Sequence, residues 1–203
     1  MKNFILRVTF IVSAIFFLSR PALSQVYLEP GVNYSGVTKD ELTDHFSAGV
    51  GMVMRLGLIY NLTDRLDAEV SLGYNTVNLD QDKSYGQYST RISYFELPVG
   101  LRYRIAGPVY LSGGVSLGLP SQFSVSDRSY RENVKSATLF YTAGIHVDLD
   151  ERMELVLRGL YGTEKLVSYQ EIGPFGELSE PQNILQLRGI QLSLRINLIF
   201  LEK

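Results

Sequence analysis

His146 and Asp148 are the residues whose types and spacing most resemble part of a catalytic site. They stand two positions apart in an alternating segment, so in a β-strand both side chains point to one face. A carboxylate can orient an imidazole as a general base, and Ser112 or Ser116 would then supply the nucleophile. Asp148 adjoins a tight turn, however, and a histidine within a set of charged residues is more often structural. We therefore expect this chain to have no catalytic residue and not to be an enzyme.

The chain offers no set of residues that predicts a metal ion or a cofactor. It has two histidines and no cysteine, and no spacing gathers metal ligands. Its glycines follow the two-residue period of strands rather than forming a phosphate-binding loop. We expect neither a metal nor a cofactor, and the absence of cysteine excludes disulfides.

The N-terminal residues 1–24 have the pattern of a secretory signal peptide. Lys2 and Arg7 are followed by a short apolar run at 8–18, and Ala22 and Ser24 are the small residues of a cleavage site. Removal of this segment leaves residues 25–203, which are acidic because the leader carries three basic residues and no acid. An acidic exported domain is not expected to bind nucleic acid.

The segments that position these side chains alternate strictly between apolar and other residues. In "FSAGVGMVMRLGLIY", Phe46–Tyr60, every second residue is apolar, and the residues between include three glycines and Arg55. Glycines and a period of two favour a strand over a helix, and 15 residues span roughly 50 Å, enough to cross a membrane at a tilt. Eight such segments follow one another: 26–34, 46–60, 66–74, 95–104, 109–119, 139–148, 153–161 and 190–200.

The connections between the eight segments alternate in length. Three are short turns near 62–65, 105–108 and 149–152, and four are long and polar, at about 36–45, 76–91, 120–136 and 163–186. This sorting is typical of outer-membrane barrels. We therefore predict an all-β fold, a closed eight-stranded antiparallel up-and-down transmembrane barrel with short periplasmic turns and long extracellular loops.

The composition of the two strand faces decides which one meets lipid. One face is almost wholly apolar, with aromatic residues near both ends, among them Phe46 at the long-loop end and Tyr60 at the short-turn end. The other face is rich in glycine, lacks lysine, and suits the narrow lumen of an eight-stranded barrel. Its charged residues form the predicted lumen charge network: Arg55, Glu69, Glu96, Arg102, His146, Asp148, Glu154, Arg158 and Arg195.

Three residues on these strands carry specific structural expectations. Arg55 should point into the lumen and pair with Glu69 or Glu96, because an unpaired buried charge is costly. Pro30 and Pro98 cannot donate to a strand ladder, so each should produce a bulge or a missing hydrogen bond.

Short motifs resemble those of a known family. "YFELPVGLRYR", 94–104, resembles a strand of the outer membrane protein beta-barrel domain, or porin family, of Gram-negative bacteria, through Tyr94, Glu96, Pro98 and Tyr103. "LDERMELVLRGLYG" resembles that family's late hairpin. The final "QLSLRINLIF" is similar to the strand signal read by the barrel-insertion machinery, although Phe200 is followed by three further residues. The resemblance implies an OmpA/OmpX-like barrel in the outer membrane, in contact with its lipid, but no shared activity.

The function that we expect is structural, or partner binding through the extracellular loops. The fourth long loop combines acidic and apolar residues that could contact a protein partner: Tyr169, Glu171, Ile172, Phe175 and Glu177. Three alternatives stay open. The resemblance implies an accessory subunit of an outer-membrane secretion or assembly complex, the barrel itself could be a narrow channel, and a lipid-modifying enzyme is the least favoured.

Overall fold

A computed structural model of the chain describes residues 22–38, 46–83, 86–125, 128–129, 137–169 and 182–200. Within these ranges there is no helix long and apolar enough to cross a membrane. The strands are β1 Ala22–Val37, β2 Phe46–Asn61, β3 Leu66–Lys83, β4 Gly86–Ala106, β5 Val109–Val125, β6 Arg128–Ser129, β7 Thr138–Asp148, β8 Met153–Gly162, β9 Val167–Tyr169, β10 Gln182–Ile184 and β11 Leu187–Phe200.

Eight of these strands close into an antiparallel barrel, which confirms the predicted fold. Each barrel strand pairs with its neighbour in the order β4, β3, β2, β1, β11, β8, β7, β5, and β5 pairs in turn with β4. The first and last strands therefore form one seam of the ring. The short strand β6 extends the pairing of β5, and β9 and β10 form a separate two-stranded sheet.

The alternating pattern sorts side chains between the outside and the lumen. On β2, Met52 and Leu56 are 68% and 54% exposed on the outer wall, whereas Arg55 between them is 1% exposed. A continuous apolar wall of this kind would be unfavourable in water and is covered by lipid in a membrane. The apolar face therefore points outward and the charged face inward.

Phe46 is an exception, and its predicted place on the lipid-facing wall is wrong. The register between β2 and β3 shifts between Ala48 and Val53. A shift of one residue moves side chains to the opposite face. Phe46 is consequently only 7% exposed and packs inside the barrel. The other aromatic residues predicted for the extracellular end are exposed on the wall: Tyr34, Tyr74, Phe95, Tyr141 and Tyr161.

The predicted loop at 76–91 is wrong as well, because β3 continues to Lys83 and β4 starts at Gly86. In this region Val77 and Leu79 face inward, and the polar Asp80 faces outward. The hairpin extends beyond the membrane, where the outside meets water, so the polar side turns outward. The inward residues belong to an apolar cluster, which we call the extracellular plug: Val37, Phe46, Val77, Leu79, Ile92, Tyr94, Phe123, Phe140, Leu166, Val167, Leu185 and Leu187.

Two further predicted loops also contain strands. β5 runs to Val125 and is followed by β6, so part of 120–136 is strand, and 163–186 contains β9 and β10. The three short turns are confirmed. In the last of them, Asp150 Oδ1 accepts backbone hydrogen bonds from Arg152 and Met153, both at 2.7 Å, which closes the turn locally.

The two prolines interrupt the ladder without shifting its register. Pro98 pairs with Ser116 of β5, but the pairing of β4 with β3 omits Leu97 and Pro98 and resumes in unchanged register. Pro30 likewise pairs with Met54 of β2 but has no partner position on β11. Each proline therefore lacks a pairing on one side, as expected from its missing N–H group. Neither proline produces a bulge.

Candidate functional site

The lumen of the barrel holds a network of buried charges centred on Glu29 of β1. Glu29 is fully buried and accepts hydrogen bonds from three arginines on three other strands. Its Oε1 accepts from Arg55 Nη1 at 2.7 Å and from Arg158 Nη1 at 2.8 Å, and its Oε2 accepts from Arg195 Nη2 at 2.8 Å. Ser193 Oγ donates to Oε1 at 3.0 Å. One carboxylate thus ties β1 to β2, β8 and β11.

Arg55 extends the network across the lumen to β4. Its Nε donates to Glu96 Oε1 at 2.5 Å, and its Nη2 donates to Gln191 Oε1. Glu96 is one of the two partners expected for Arg55, and Glu29 is an additional one. Gly73 makes room for this pair, because a Cβ atom there would lie 2.9 Å from the Cγ atoms of both side chains.

A second group of charges lies nearer the periplasmic end. Arg195 Nη1 donates to Glu69 Oε1 at 2.6 Å and lies 3.3 Å from Glu154 Oε1. Arg102 donates to Glu154 Oε2 and to Asp67 Oδ2, both at 2.7 Å. Since Arg195 also binds Glu29, the two groups form one continuous network.

His146 joins this network through a chain of three side chains. Its Nδ1 lies 2.5 Å from Glu154 Oε1, and its Nε2 lies 2.7 Å from Ser112 Oγ. The ring itself is fully buried, and Ser112 is half-buried. A serine, a histidine and a carboxylate in this order have the connectivity of a nucleophile activated by a base. The carboxylate that orients the ring is Glu154, in contrast to the expectation that Asp148 would do so.

Asp148 lies at the periplasmic mouth of the barrel, at the edge of the network. It lines a polar cavity of about 400 Å³ together with Asp64, Arg104 and Tyr110. Arg104 Nε donates to Tyr110 Oη at 2.9 Å, and the Arg104 guanidinium carbon lies 4.9 Å from the centroid of that ring. Asp148 follows the alternation of β7, but the strand ends there, so its side chain is half-buried at the mouth and lines this cavity beside Asp67, Arg102 and Glu154 of the network.

The structure brings together eight of the nine residues predicted for the lumen and adds residues that were not predicted. Glu29, Asp67 and Gln191 all contact the network. Glu29 and Asp67 follow from the same alternation, because each occupies a lumen-facing position of its strand. Glu29 was missed because β1 has the weakest apolar pattern of the eight strands. The eight predicted residues that meet are Arg55, Glu69, Glu96, Arg102, His146, Glu154, Arg158 and Arg195.

The predicted loop interface falls mainly beyond what the structure describes. Tyr169 ends β9, where its backbone pairs with Gln182 of β10. Glu171, Ile172, Phe175 and Glu177 lie outside the described residues. The partner-binding role of this loop stays a prediction.

The lumen network consists of paired opposite charges that join the strands to one another. It contains five carboxylates and four arginines, so each charge has an opposite neighbour. Among the residues that the structure describes, no group of three or more histidine, cysteine or acidic side chains could hold a metal ion. Buried ion pairs of this kind hold strands in one arrangement and leave little free lumen.

Comparisons with known proteins agree with the geometry. A solved structure of Neisserial surface protein A, NspA, is 14% identical, covers 86% of this chain and 98% of its own, and has a TM-score of 0.57. Ail of Yersinia pestis, solved with the heparin analogue sucrose octasulfate, is 14% identical over 87% of this chain and 98% of its own, with a TM-score of 0.46. OprG of Pseudomonas aeruginosa is 11% identical over 87% of this chain and 95% of its own, with a TM-score of 0.44. No curated protein matches the chain.

The family is established by a match over most of the sequence. The sequence model of the outer membrane protein beta-barrel domain matches residues 8–187. The NspA structure has the same barrel fold as this chain. The chain belongs to the outer membrane protein beta-barrel domain family and resides in the outer membrane of a Gram-negative bacterium.

Proposed function

We propose that this protein is a non-enzymatic, non-conducting outer-membrane barrel that binds a partner at its extracellular end. The observation that carries the proposal is the double closure of the lumen, by the charge network and by the extracellular plug. A barrel that is filled at two levels has its outer surface and its rim available for function, rather than its interior.

The charge network opposes conduction at the middle of the barrel. Arg55 and Arg195 are each 0–1% exposed and both donate to the buried Glu29. Two further pairs join strands that are not neighbours in the ring, Arg195 with Glu69 and Arg102 with Glu154. A passing ion would have to displace these pairs, and separating buried partners leaves uncompensated charges that cost several kcal/mol. The narrow channel considered from the sequence is therefore disfavoured.

The extracellular plug opposes conduction a second time. Tyr94 and Phe140 stack with ring centroids 5.4 Å apart, and Leu79, Ile92 and Leu166 pack in the same cluster with at most 1% exposure. An apolar constriction without water is a barrier to ions, because no group replaces their hydration shell. The plug also rigidifies the end of the barrel that faces the cell exterior.

Planar-bilayer recording tests the absence of conduction. The purified protein should give no stepwise current at moderate voltage. The matched variant Leu79→Ala removes bulk from the plug, and it too should remain closed because the charge network is intact. Regular conductance steps from the unaltered protein would contradict the proposal.

The shape of the rim supports partner binding. β3 and β4 contain 18 and 21 residues, whereas β7 and β8 contain 11 and 10. About ten residues suffice to cross a membrane, so the β3–β4 wall rises well above it. Asn78, Asp80 and Arg91 give the outside of this raised wall a polar surface.

Co-purification from native membranes tests this part of the proposal. The unaltered protein should retain a specific partner, and Asp80→Lys combined with Arg91→Glu on the raised wall should reduce its recovery. The same pair of charge changes at Asp64 and Arg65, in the exposed periplasmic turn, is the control. Equal recovery with both double variants would place the partner elsewhere.

A lipid-modifying hydrolase is the second candidate, because Ser112, His146 and Glu154 are connected by hydrogen bonds. The space beside Ser112 argues against it. The cavity that Ser112 lines has a volume of about 20 Å³, room for roughly one water molecule and not for an ester. A fluorophosphonate probe should not label Ser112, whereas labelling that is lost in both Ser112→Ala and His146→Ala would establish the hydrolase.

A further inference from the structure

The outer wall of the barrel carries a groove of about 560 Å³ at the seam side, across β7, β8, β11, β1 and β2. Small residues form its floor. Ala143 pairs with Gly159 at one end, and Gly36 lies against Ala48 at the other, where a Cβ on the glycine would be 3.1 Å from the alanine Cβ. The groove therefore exists because the wall lacks large side chains at these outward positions.

One row of residues borders the groove at the extracellular side. Tyr141 pairs with Tyr161, Tyr161 pairs with Arg188, and Arg188 pairs with Gly36. The two tyrosines belong to the exposed aromatic ring that marks the membrane interface. Arg188 is exposed and is the only charged residue among the described residues that line the groove.

The row one step deeper into the membrane is apolar. Two positions along their strands from Tyr141, Tyr161 and Arg188 lie Ala143, Gly159 and Ile190. The wall thus presents a cation at the interface and, one row deeper on the neighbouring strands, an apolar depression at Gly159 and Ala143. This is the order of polarity in a lipid whose anionic headgroup lies at the interface and whose chain enters the hydrocarbon.

We propose that this groove binds a phosphorylated, acylated lipid of the outer leaflet, with its phosphate on Arg188 and one acyl chain over Ala143 and Gly159. A guanidinium can donate two parallel hydrogen bonds to a phosphate, and basic pockets on membrane proteins bind lipid headgroups. The depression accepts a chain that would otherwise pack poorly against a wall with missing side chains. The site lies on the membrane-facing wall and does not depend on what binds at the raised rim.

Native mass spectrometry of the full chain in detergent tests the proposal with three probes. Dipalmitoyl phosphatidic acid carries both the phosphate and the chains, dipalmitoyl glycerol carries only the chains, and glycerol phosphate carries only the phosphate. Saturable binding is expected for phosphatidic acid, and weak or no binding for the other two.

Two variants and two matched controls locate the binding. Arg188→Gln should weaken phosphatidic acid binding about tenfold, the typical effect of losing a charge-assisted contact. Gly159→Leu should fill the depression and produce a similar loss, and Ala143→Leu fills the same space if the first variant fails to fold. Arg91→Gln removes an exposed cation from the opposite wall, and Gly113→Leu adds an outward leucine where a Cβ meets no atom nearer than 3.9 Å. Both controls should leave binding unchanged.

Several outcomes would overturn the proposal. Equal losses in Arg188→Gln and Arg91→Gln would mean that binding responds only to net charge. Equal binding of dipalmitoyl glycerol would reduce the groove to ordinary lipid contact, and equal binding of glycerol phosphate would make it a site for soluble anions. A dimer that Gly159→Leu dissociates without affecting phosphatidic acid binding would make the groove an interface between two copies.

Discussion

Glu29 accepts hydrogen bonds from three arginines in a place that water does not reach. Two of the three arginines have a further acidic partner: Glu96 for Arg55, and Glu69 for Arg195. Removal of one charge in such a network costs more than the lost contact, because the groups left behind remain buried and unpaired.

Replacement of Glu29 by glutamine is therefore expected to destabilise the barrel by about 3–5 kcal/mol. The amide keeps the size of the side chain, so the loss reports charge rather than packing. The measurement is urea unfolding in lipid vesicles, followed by the heat-dependent shift in gel mobility. Arg65→Gln, at an exposed turn, is the control and should change the free energy of unfolding by less than about 0.5 kcal/mol.

Arg55 and Glu96 offer a second test at the same scale. Arg55→Leu alone should destabilise the barrel by about 3–5 kcal/mol, because it leaves Glu96 buried without its partner. The double variant Arg55→Leu with Glu96→Leu should recover about 1–3 kcal/mol of that loss, because both charges are then removed together. Strictly additive effects in the double-mutant cycle would argue against the pairing.

The raised β3–β4 hairpin is the element whose stability depends most directly on the extracellular plug. Its strands are held above the membrane by the extracellular plug, in which Leu79 is fully buried. Leu79→Ala should destabilise this end by about 2–4 kcal/mol, since it leaves a cavity in a packed cluster. Faster cleavage by an external protease and faster amide exchange in 77–92 are the expected readouts.

Leu72→Ala on the same strand is the matched control. Leu72 is 61% exposed on the lipid-facing wall, so its loss creates no internal cavity. Its protease resistance should match that of the unaltered protein. If both variants open the hairpin equally, the plug does not hold it.

Strands that cross the membrane are predictable from the sequence because lipid requires apolar side chains on the same face along their whole length. Apolar residues face outward there, and the period of two is unbroken from Met52 to Leu58. Above the membrane the apolar side chains, such as Val77 and Leu79, point into the barrel, and the side chains on the outside are polar. A pattern that inverts within one strand has no constant amphipathic face, which is why 76–91 resembles a loop in sequence.

For the candidate site, the residues that face the lumen could be predicted from the sequence, but their partners could not. Arg55 and Glu96 could be assigned to the lumen because each lies between apolar neighbours in a clear alternation. Which acid meets which arginine depends on strand register around the ring, and register is set by pairings and bulges that leave no local signal. For this reason Glu154, and not Asp148, contacts His146.

At the scale of the whole molecule, the apolar wall predicts where a charge can be tolerated. Leu56 is exposed on the wall between the two aromatic rings. Leu56→Lys should make folding into vesicles less favourable by about 2–4 kcal/mol, the cost of a lysine in the bilayer core. Leu62→Lys, in the periplasmic turn, should have an effect of at most about 0.5 kcal/mol. Comparable losses in both would contradict the assignment of this wall to lipid.

The seam between β1 and β11 has a consequence for how the barrel forms and persists. Glu29 is separated by 164 positions from Ser193 and by 166 from Arg195, so its contacts with them arise only when the two ends of the chain meet. Pairings between such distant positions slow folding, since the loop must close before they contribute. Interactions that form after the transition state slow unfolding instead. Contacts of Glu29 with β11 are therefore expected to slow the unfolding of the closed barrel, so the rate of unfolding describes how long the barrel persists better than an equilibrium free energy does.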